Sequence, residues 1–310
     1  MKDKEVFTMI NQQTGNLAFK ILPFFDNSYF DYLQRNNYFT LIWIIDGSGV
    51  LRTDFSEFAF EKNSMFSFAP YQPFMLQANN CEGIAIFFHS DFFCIHKHQR
   101  EVTCNGVLFN NIYQVPVFYI DELTKVNFHD ILKKMRIEID NPAIAQYEML
   151  ISYIKIILIT ASRIKSEQLI GNAEKDVKEP EILQRLKNAI EENCKSKHLP
   201  TEYALMLNIS QKALAKVVKQ YYQKTFTALI TERILIEAKR ELYLTNKTVK
   251  EIAYELGYDD EHYFSRFFKK NTEISAQQYR DTVGFGKAEI STIERNEIVK
   301  SISQSKTLSR

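Results

Sequence analysis

The sequence predicts an α+β fold: a β-rich N-terminal domain followed by helices, then an all-α C-terminal domain with two helix-turn-helix units. Three observations carry that expectation. Before about Glu122 the apolar residues fall in short β-branched and aromatic runs broken by Gly, Asn and Pro. From Asp121 onward the apolar spacing turns helical. Near the C-terminal end, TVKEIAYELGYDDEHYFSRFFKK (Thr248 to Lys270) reads as a helix, a tight turn and a second helix, and a weaker copy lies upstream.

At 310 residues the chain exceeds what one compact domain usually holds, so two are expected. A hydrophobic content of 45% suits a chain that buries a large core. The net charge of +1 is uneven: −4 over residues 1–179, +3 over 180–283 and +2 over 284–310. The small positive excess therefore sits with the helix-turn-helix segment, as contact with phosphate requires. Cys81, Cys94, Cys104 and Cys194 show no C-x-x-C spacing and are expected as free thiols in a reducing cytoplasm. The polar N-terminus lacks the apolar core of a signal peptide. The most apolar run, MLISYIKIILITA, is about 13 residues against the roughly 20 of a membrane span. A cytoplasmic location without a membrane partner is expected.

Within the β-rich part, FTLIWIIDGSGVLRTDF gives two runs around a Gly47-Ser48-Gly49 turn. FEKNSMFSFAP and EGIAIFFHSDFF add short strands, and the pattern suggests a sandwich or barrel. Leu123, Val126, Phe128, Ile131, Leu132, Met135 and Ile139 then set a helix that stops at Asn141-Pro142. A longer helix over about Ala143 to Leu169 has apolar residues on more than one stripe. That fits burial within its own domain or a second face toward another subunit. The polar stretch GNAEKDVKEP, Gly171 to Pro180, is the expected linker, which places the domains at 1–179 and 180–283. Residues 284–310 are expected as a flexible tail or a short amphipathic helix.

Thr248 and Glu251 have capping-box spacing, and Ile252, Ala253 and Leu256 give the first helix an apolar face. Gly257 can take the left-handed conformation that ends a helix, and Asp259 is the expected cap of the next. Phe264, Phe267 and Phe268 point one way; Glu261, His262, Ser265 and Arg266 point another. In the upstream copy, Glu202, Ala204, Leu207 and Asn208 match Glu251, Ala253, Leu256 and Gly257 at an offset of 49. Leu214, Val217, Val218 and Lys219 match Phe264, Phe267, Phe268 and Lys269 at an offset of 50. Pro200 stands at the first helical position, and Asn208 is the next residue after Gly best able to adopt left-handed geometry. The helical pattern TALITERILIEAKRELYLTN between the copies would hold the units rigidly. Two recognition helices on one rigid body can enter successive major grooves about 34 Å apart.

These residues resemble the AraC-type transcription regulator family from about Glu181 to Arg280. EIAYELGYDDEHYFSRFFKK followed by Tyr279-Arg280 is similar to the family signature, and Ala204, Leu207, Ser210, Leu214 and Lys219 fit its first unit. Glu273 and Ala276 stand where the family usually has Gly and Pro, and Gln223 occupies another usual Gly position. These departures bear on turn geometry rather than fold. The resemblance implies a sequence-specific, DNA-binding transcription regulator rather than an enzyme. Its partners would be double-stranded DNA, a second copy in a homodimer, and RNA polymerase if it activates. It implies base contacts from Gln211, Lys212, Ala213, Ala215 and Lys216 in the first unit and Glu261, His262, Ser265 and Arg266 in the second. Chemically, Arg266 suits a guanine edge, Gln211 adenine, Ala213 or Ala215 a thymine methyl, and Glu261 cytosine. Lys216, Lys219, Lys269 and Lys270 suit phosphate. Singly, each could be an ordinary solvated residue; two repeats in one frame favour DNA contact. Asp259, Asp260 and Glu261 would repel phosphate unless some cap the helix, which leaves base reading to His262, Ser265 and Arg266.

The N-terminal half is similar to the cupin-like sensor arms of this family, which implies a small-molecule effector site or a dimerisation role. Tyr38, Trp43, Phe66 and Phe68 are candidate pocket residues, although aromatics on strands more often fill core. The competing reading is a metal-dependent cupin enzyme fused to a DNA-binding domain. His96-Lys97-His98 with Glu101 nearly matches a metal-binding H-x-H…E arrangement, and Cys94 and Cys104 lie nearby. The Glu falls one residue short of that spacing, and the next His, His129, lies in a predicted helix. No metal or other cofactor is therefore expected. There is no G-x-S-x-G and no phosphate-binding Gly loop, so no catalytic residues are expected.

Overall fold

The computed structural model describes residues 6–11, 15, 17–53, 56–95, 107–109, 111–175 and 181–283. Seven strands come first: β1 (Phe7–Ile10), β2 (Leu17–Phe24), β3 (Phe39–Thr53), β4 (Glu57–Phe60), β5 (Ser64–Phe68), β6 (Phe74–Phe88) and β7 (Val117–Tyr119). They form one antiparallel sheet in the order β1-β2-β6-β3-β5-β7, with β4 paired to β3. Alternate residues of the same strands enter two different cores. Leu41, Trp43, Ile84, Ile86 and Phe88 face one cluster; Ile42, Ile44, Ala85 and Phe87 face the other. A sheet buried on both faces needs continuous apolar runs, which is why FTLIWII and GIAIFF do not alternate with polar residues. The second cluster also takes Leu51, Phe74 and Leu76 from the far ends of the long strands and Phe60 from β4, so the sheet curls over its own core.

The Gly47-Ser48-Gly49 turn expected between two runs is instead a bend inside one strand of 15 residues. β3 stays paired with β6 on both sides of it, with register shifts between Ile44 and Asp46 and between Gly47 and Gly49. The glycines serve close approach: a Cβ on Gly47 would lie 2.3 Å from Asn80 O, and one on Gly49 2.2 Å from Gln77 O.

Helices α1 (Glu122–Asp140) and α2 (Gln146–Lys175) cover the first core. Asp121 caps α1, its side chain accepting from the Thr124 amide at 2.8 Å. The buried face of α1 is Phe128, Leu132 and Met135; Leu123 and Val126, expected on that face, are exposed. α2 buries Leu150, Ile154, Ile157, Leu158 and Ala161 and leaves Met149 and Ile156 exposed, while Ile144 lies outside the helix and is almost fully exposed. The first half of the expected linker is helical, because α2 runs through Gly171 to Lys175; residues 176–180 lie outside the described residues.

The C-terminal helices are α3 (Glu181–Asn193), α4 (Pro200–Met206), α5 (Gln211–Tyr222), α6 (Phe226–Leu244), α7 (Val249–Glu255), α8 (Glu261–Thr272) and α9 (Ala276–Val283). They share one core, in which Leu214 and Val218 of α5, Leu229, Ile234 and Ala238 of α6, and Phe264 and Phe268 of α8 are all buried. Thr40, Ser67 and other buried polar groups are confined to a few sites, and no described helix is long and apolar enough to cross a membrane.

Candidate nucleic-acid interface

The sequence repeat is also a hydrogen-bond repeat. In the first unit the Asn208 amide donates to Leu205 O at 3.1 Å and the Ile209 amide to Ala204 O at 3.0 Å. In the second, Gly257 donates to Tyr254 O at 3.0 Å and Tyr258 to Ala253 O at 3.0 Å, the same pairs shifted by 49 residues. This left-handed closure ends α4 and α7 alike, with φ of 55° at Asn208 and 77° at Gly257. Ser210 caps α5, accepting from the Ala213 amide at 3.1 Å, and Asp260, 50 residues on, caps α8, accepting from the His262 amide at 2.8 Å. The inserted residue is therefore Asp259, and the cap is Asp260 rather than Asp259 as expected. The capping box at Thr248 and Glu251 is present in both directions. At the start of α4, Pro200 is the first helical residue, and the Glu202 carboxylate accepts from the Leu199 amide at 2.9 Å.

The family's missing glycines leave the turns intact. Gln223 and Glu273, again 50 apart, both end their helices in the left-handed region, with φ of 55° and 66°. Their amides donate to Lys219 O at 3.1 Å and Lys269 O at 2.8 Å. Exposed Gln223 gains little from its side chain there, so Gln223→Gly should stabilise the chain by about 0.5–1 kcal/mol. Urea denaturation measures this; a lower midpoint would mean the glutamine side chain contributes more than its strained φ costs. The same change at Glu273 would also remove the 3.2 Å ion pair with Arg35.

Each recognition helix turns one face inward and leaves the other free. On α5, Leu214 and Val218 are buried; Gln211, Lys212, Ala215, Lys216 and Lys219 are exposed, and Ala213 is half-buried. On α8, Phe264 and Phe268 are buried; His262, Arg266, Lys269 and Lys270 are exposed, and Glu261 and Ser265 are half-buried. The acidic run divides by role. Asp260 is committed to the cap, and its second oxygen lies 3.9 Å from the Arg266 guanidinium. Tyr263, 58% exposed on the same helix, was absent from the sequence-based set because its neighbours Phe264 and Phe267 marked that side as core. Its signal was a hydrophilic aromatic in the first turn of a recognition helix.

The Tyr279-Arg280 pair has a structural role. Tyr279 is buried against Phe268, and the Arg280 guanidinium donates to Leu242 O at 3.1 Å and to Lys247 O, closing the end of α6.

The four candidate pocket aromatics do not converge. Trp43 lies in the core under α1, edge-on to Phe128, and lines a cavity of only about 10 Å³. Phe66 and Phe68 fill the opposite core, and half-buried Tyr38 packs at its margin near His89. The alternation of strand side chains separates them. His129 is on α1 with its ring 4.7 Å from Trp43. His96, Lys97, His98, Glu101 and Cys104 lie outside the described residues, and Cys94 is half-buried. Among the described residues no group of three or more His, Cys, Asp or Glu could hold a metal ion.

The larger openings lie elsewhere, between the sheet domain and the C-terminal helices. A cavity of about 100 Å³ is lined by Phe58, Leu108 and Ile112 on one side and Leu235, Ile236 and Lys239 of α6 on the other. A wider cleft of about 520 Å³ adjoins it, and the two share Phe58 and Lys165. Polar contacts cross the same boundary: Arg35 to Asn271 O at 3.1 Å, His89 Nε2 to Thr282 O at 2.9 Å and Lys239 to Pro70 O at 3.0 Å.

Residues 203–282 match the family described as Helix-turn-helix domain. Together with the paired turns and caps, that decides the assignment. Residues 203–282 are an AraC-type helix-turn-helix domain. Over 114 residues the chain is 35% identical to the HTH-type transcriptional activator Btr of Bacillus subtilis (strain 168), covering 33% of this chain and 22% of Btr. It is 26% identical over 143 residues to the HTH-type transcriptional activator RhaS of Citrobacter koseri, covering 46% of this chain and 48% of RhaS. The chain thus spans between about a fifth and a half of these curated relatives. Among solved structures, ToxT from Vibrio cholerae aligns over 90% of this chain and 97% of its own, at 15% identity and a TM-score of 0.38.

Proposed function

We propose that this chain is a cytoplasmic, sequence-specific DNA-binding transcription regulator and not an enzyme. The observation that carries the reading is the duplicated unit: two helices with the same turn and cap geometry, each with a cationic exposed face, built on one core. A shared core fixes the spacing of α5 and α8, which suits one protomer to two successive major grooves. The transcriptional activators among its relatives support the same reading. In this proposal the cations of the two helices divide. Arg266, His262, Ser265 and Glu261 of α8, with Gln211, Lys212, Ala213, Ala215 and Lys216 of α5, meet base edges. Lys219, Lys269 and Lys270 meet phosphate. The exposed apolar residues Leu123, Val126, Met149 and Ile156 on α1 and α2 are where a homodimer would form, and RNA polymerase is a partner if the protein activates.

The test is binding of the full chain to genomic fragments selected by it. Affinity should fall steeply with salt, because the counterions released on binding gain less entropy as the salt concentration rises, and a chain that shows no salt-dependent duplex binding sinks the proposal. Arg266→Ala should lose about 1–3 kcal/mol of discrimination at one base pair, read against single-base variants of the selected site. Lys269→Ala should weaken all sequences alike and lower the salt slope by about 1. An Arg266→Ala protein with unchanged base preference removes that side chain from the base contacts.

A further inference from the structure

We infer that His89 is a proton-operated latch between the sheet domain and α9: with its ring protonated the two are held together, and loss of the proton loosens them. His89 follows directly on β6 and is only 4% exposed. Its ring lies between two acceptors. Nε2 is 2.9 Å from Thr282 O in the last turn of α9, and Nδ1 is 3.3 Å from Asp91 Oδ2. A neutral imidazole has one N–H, so either tautomer turns a lone pair toward one of these oxygens. The protonated ring donates to both. The Asp91 amide, 3.3 Å from Nδ1, is the donor that a neutral ring would accept from, and that long contact is weaker than the charged pair it replaces. The end of α9 at which Thr282 stands also favours positive charge, because the helix dipole is negative there. Burial alone would lower the His89 pKa, but the hydrogen bonds to Asp91 and to Thr282 O, with the Asp91 charge, outweigh it and hold the group above its ordinary 6.5.

The other titratable groups on the elements around the ring do not share its range. Tyr38, before β3, packs on it with 5.8 Å between ring centroids. Tyr71, after β5, meets Thr282 Oγ1 at 2.6 Å. From α6, Tyr243 reaches Ser90 O at 3.4 Å, and the Lys239 ammonium is held by Pro70 O at 3.0 Å and the ring of Tyr279. On α9 itself, Arg280 is turned to the end of α6 and exposed Asp281 to Gln277. Of these side-chain types only histidine ordinarily changes charge between about pH 5 and 8. Asn37 to Thr282 O at 2.9 Å and Arg35 to Asn271 O at 3.1 Å also cross the boundary, so His89 sets the strength of docking rather than its presence. Because the docked pKa is raised, the latch is complete below about 6.5 and is lost as the pH rises through the docked value. Tyr279 of α9 packs on Phe268 of α8, 5.8 Å between ring centroids, so the latch governs how freely the half with the recognition helices moves against the sheet domain. That use rests on the DNA-binding reading; the latch itself does not.

The experiment is hydrogen exchange on the full chain, read by mass spectrometry from about pH 6 to about pH 8 and corrected for the intrinsic exchange rate, with the His89 ring followed by NMR on isotope-labelled histidine. His89 should titrate above 6.5 in the parent. Over the same range the peptides that carry residues 35–38 and 276–283 should lose protection together, by at least about threefold. In His89→Gln, which keeps a donor toward Thr282 O, that pH dependence should disappear. In Asp91→Asn the His89 ring should titrate at a lower pH than in the parent, and the loss of protection should shrink with it. A parent His89 that titrates at or below 6.5, protection that does not change with pH, or a change that persists in His89→Gln overturns the latch. So does a loss confined to 276–283, since that would be fraying at the end of α9. Should His89→Gln fail to fold, Asp91→Asn keeps the buried imidazole and decides the matter: a pH step unchanged from the parent's overturns the latch. No DNA enters these measurements, so their failure leaves the regulator reading untouched, and a protein that binds no DNA leaves the latch to stand on the exchange data.

Discussion

Gly257→Ala should destabilise the C-terminal domain by about 3 kcal/mol and cost most of its DNA affinity, although the change adds one methyl group at an exposed turn. Two effects add. The residue sits at φ +77°, where a Cβ costs about 1–2 kcal/mol. The new Cβ would also lie 2.6 Å from Lys195 O and 3.1 Å from Ser196 Cα, and these are backbone atoms that cannot rotate away. The chain after α3 must shift, or the turn must open. Opening it moves α8 relative to α7, and with it the whole exposed face of the second unit. The control is the equivalent residue of the first unit. Asn208 has φ 55° and is exposed, so Asn208→Gly should be neutral or stabilising by a few tenths of a kcal/mol. Urea denaturation of the two variants, with anisotropy on labelled DNA, checks both. A Gly257→Ala protein as stable as the parent would show that residues 195–196 yield easily and that the turn is not the rigid element described.

That contrast shows why the C-terminal half could be read closely from its residues. Helix ends, caps and turns depend on interactions three to five residues apart, so Thr248, Glu251, Gly257 and the spacing of Phe264, Phe267 and Phe268 carry their own structural information. The one slip, Asp259 for Asp260 as the cap, is a one-residue boundary that two adjacent acids cannot resolve without geometry. Gln223 and Glu273 were legible as positions but not as conformations, because left-handed geometry at a non-glycine residue is imposed by the packed helices around it. In the sheet domain the deciding contacts are long-range. The Gly47-Ser48-Gly49 segment has the composition of a turn, and only its pairing with residues 77–81 of β6 makes it a bend. The placement of Trp43 apart from Phe66 and Phe68 likewise follows from the two-faced burial of the sheet. The cavity between the sheet domain and the C-terminal helices carried no local signal at all, because it exists only where α2, the sheet and α6 come together.

Glu237→Leu should have an effect of similar size through electrostatics, in the helix that joins the two units. Glu237 is buried on α6 and is held by three cations: Arg233 at 2.7 Å, Lys195 at 3.4 Å and Arg240 at 3.6 Å. Arg233 reaches on to Glu191 of α3 at 2.9 Å, so the network fastens α6 to the first C-terminal helix. Removing the carboxylate leaves the Arg233 guanidinium, itself 15% exposed, with half of its partners, and a loss of about 3 kcal/mol is expected. Arg233→Met with Glu237→Leu should recover much of it, since an apolar pair needs no desolvation. The sign of the pH dependence follows from the same contacts. Burial would raise the Glu237 carboxyl, but the charge and hydrogen bond of Arg233, with Lys195 and Arg240, outweigh it and hold the group below its ordinary 4.5. Its contribution is therefore complete above pH about 4.5 and is lost as the pH falls through the lower, folded value. Thermal melts from pH 7 down to 3 should show parent and Glu237→Leu converging in acid; curves that stay parallel would assign the loss to packing instead. The functional consequence separates this change from one at a recognition helix. A loosened α6 relaxes the spacing of α5 and α8 while leaving each exposed face intact. Under conditions where the variant remains folded, discrimination against altered spacing between the two sub-sites should fall, and base preference within each sub-site should not.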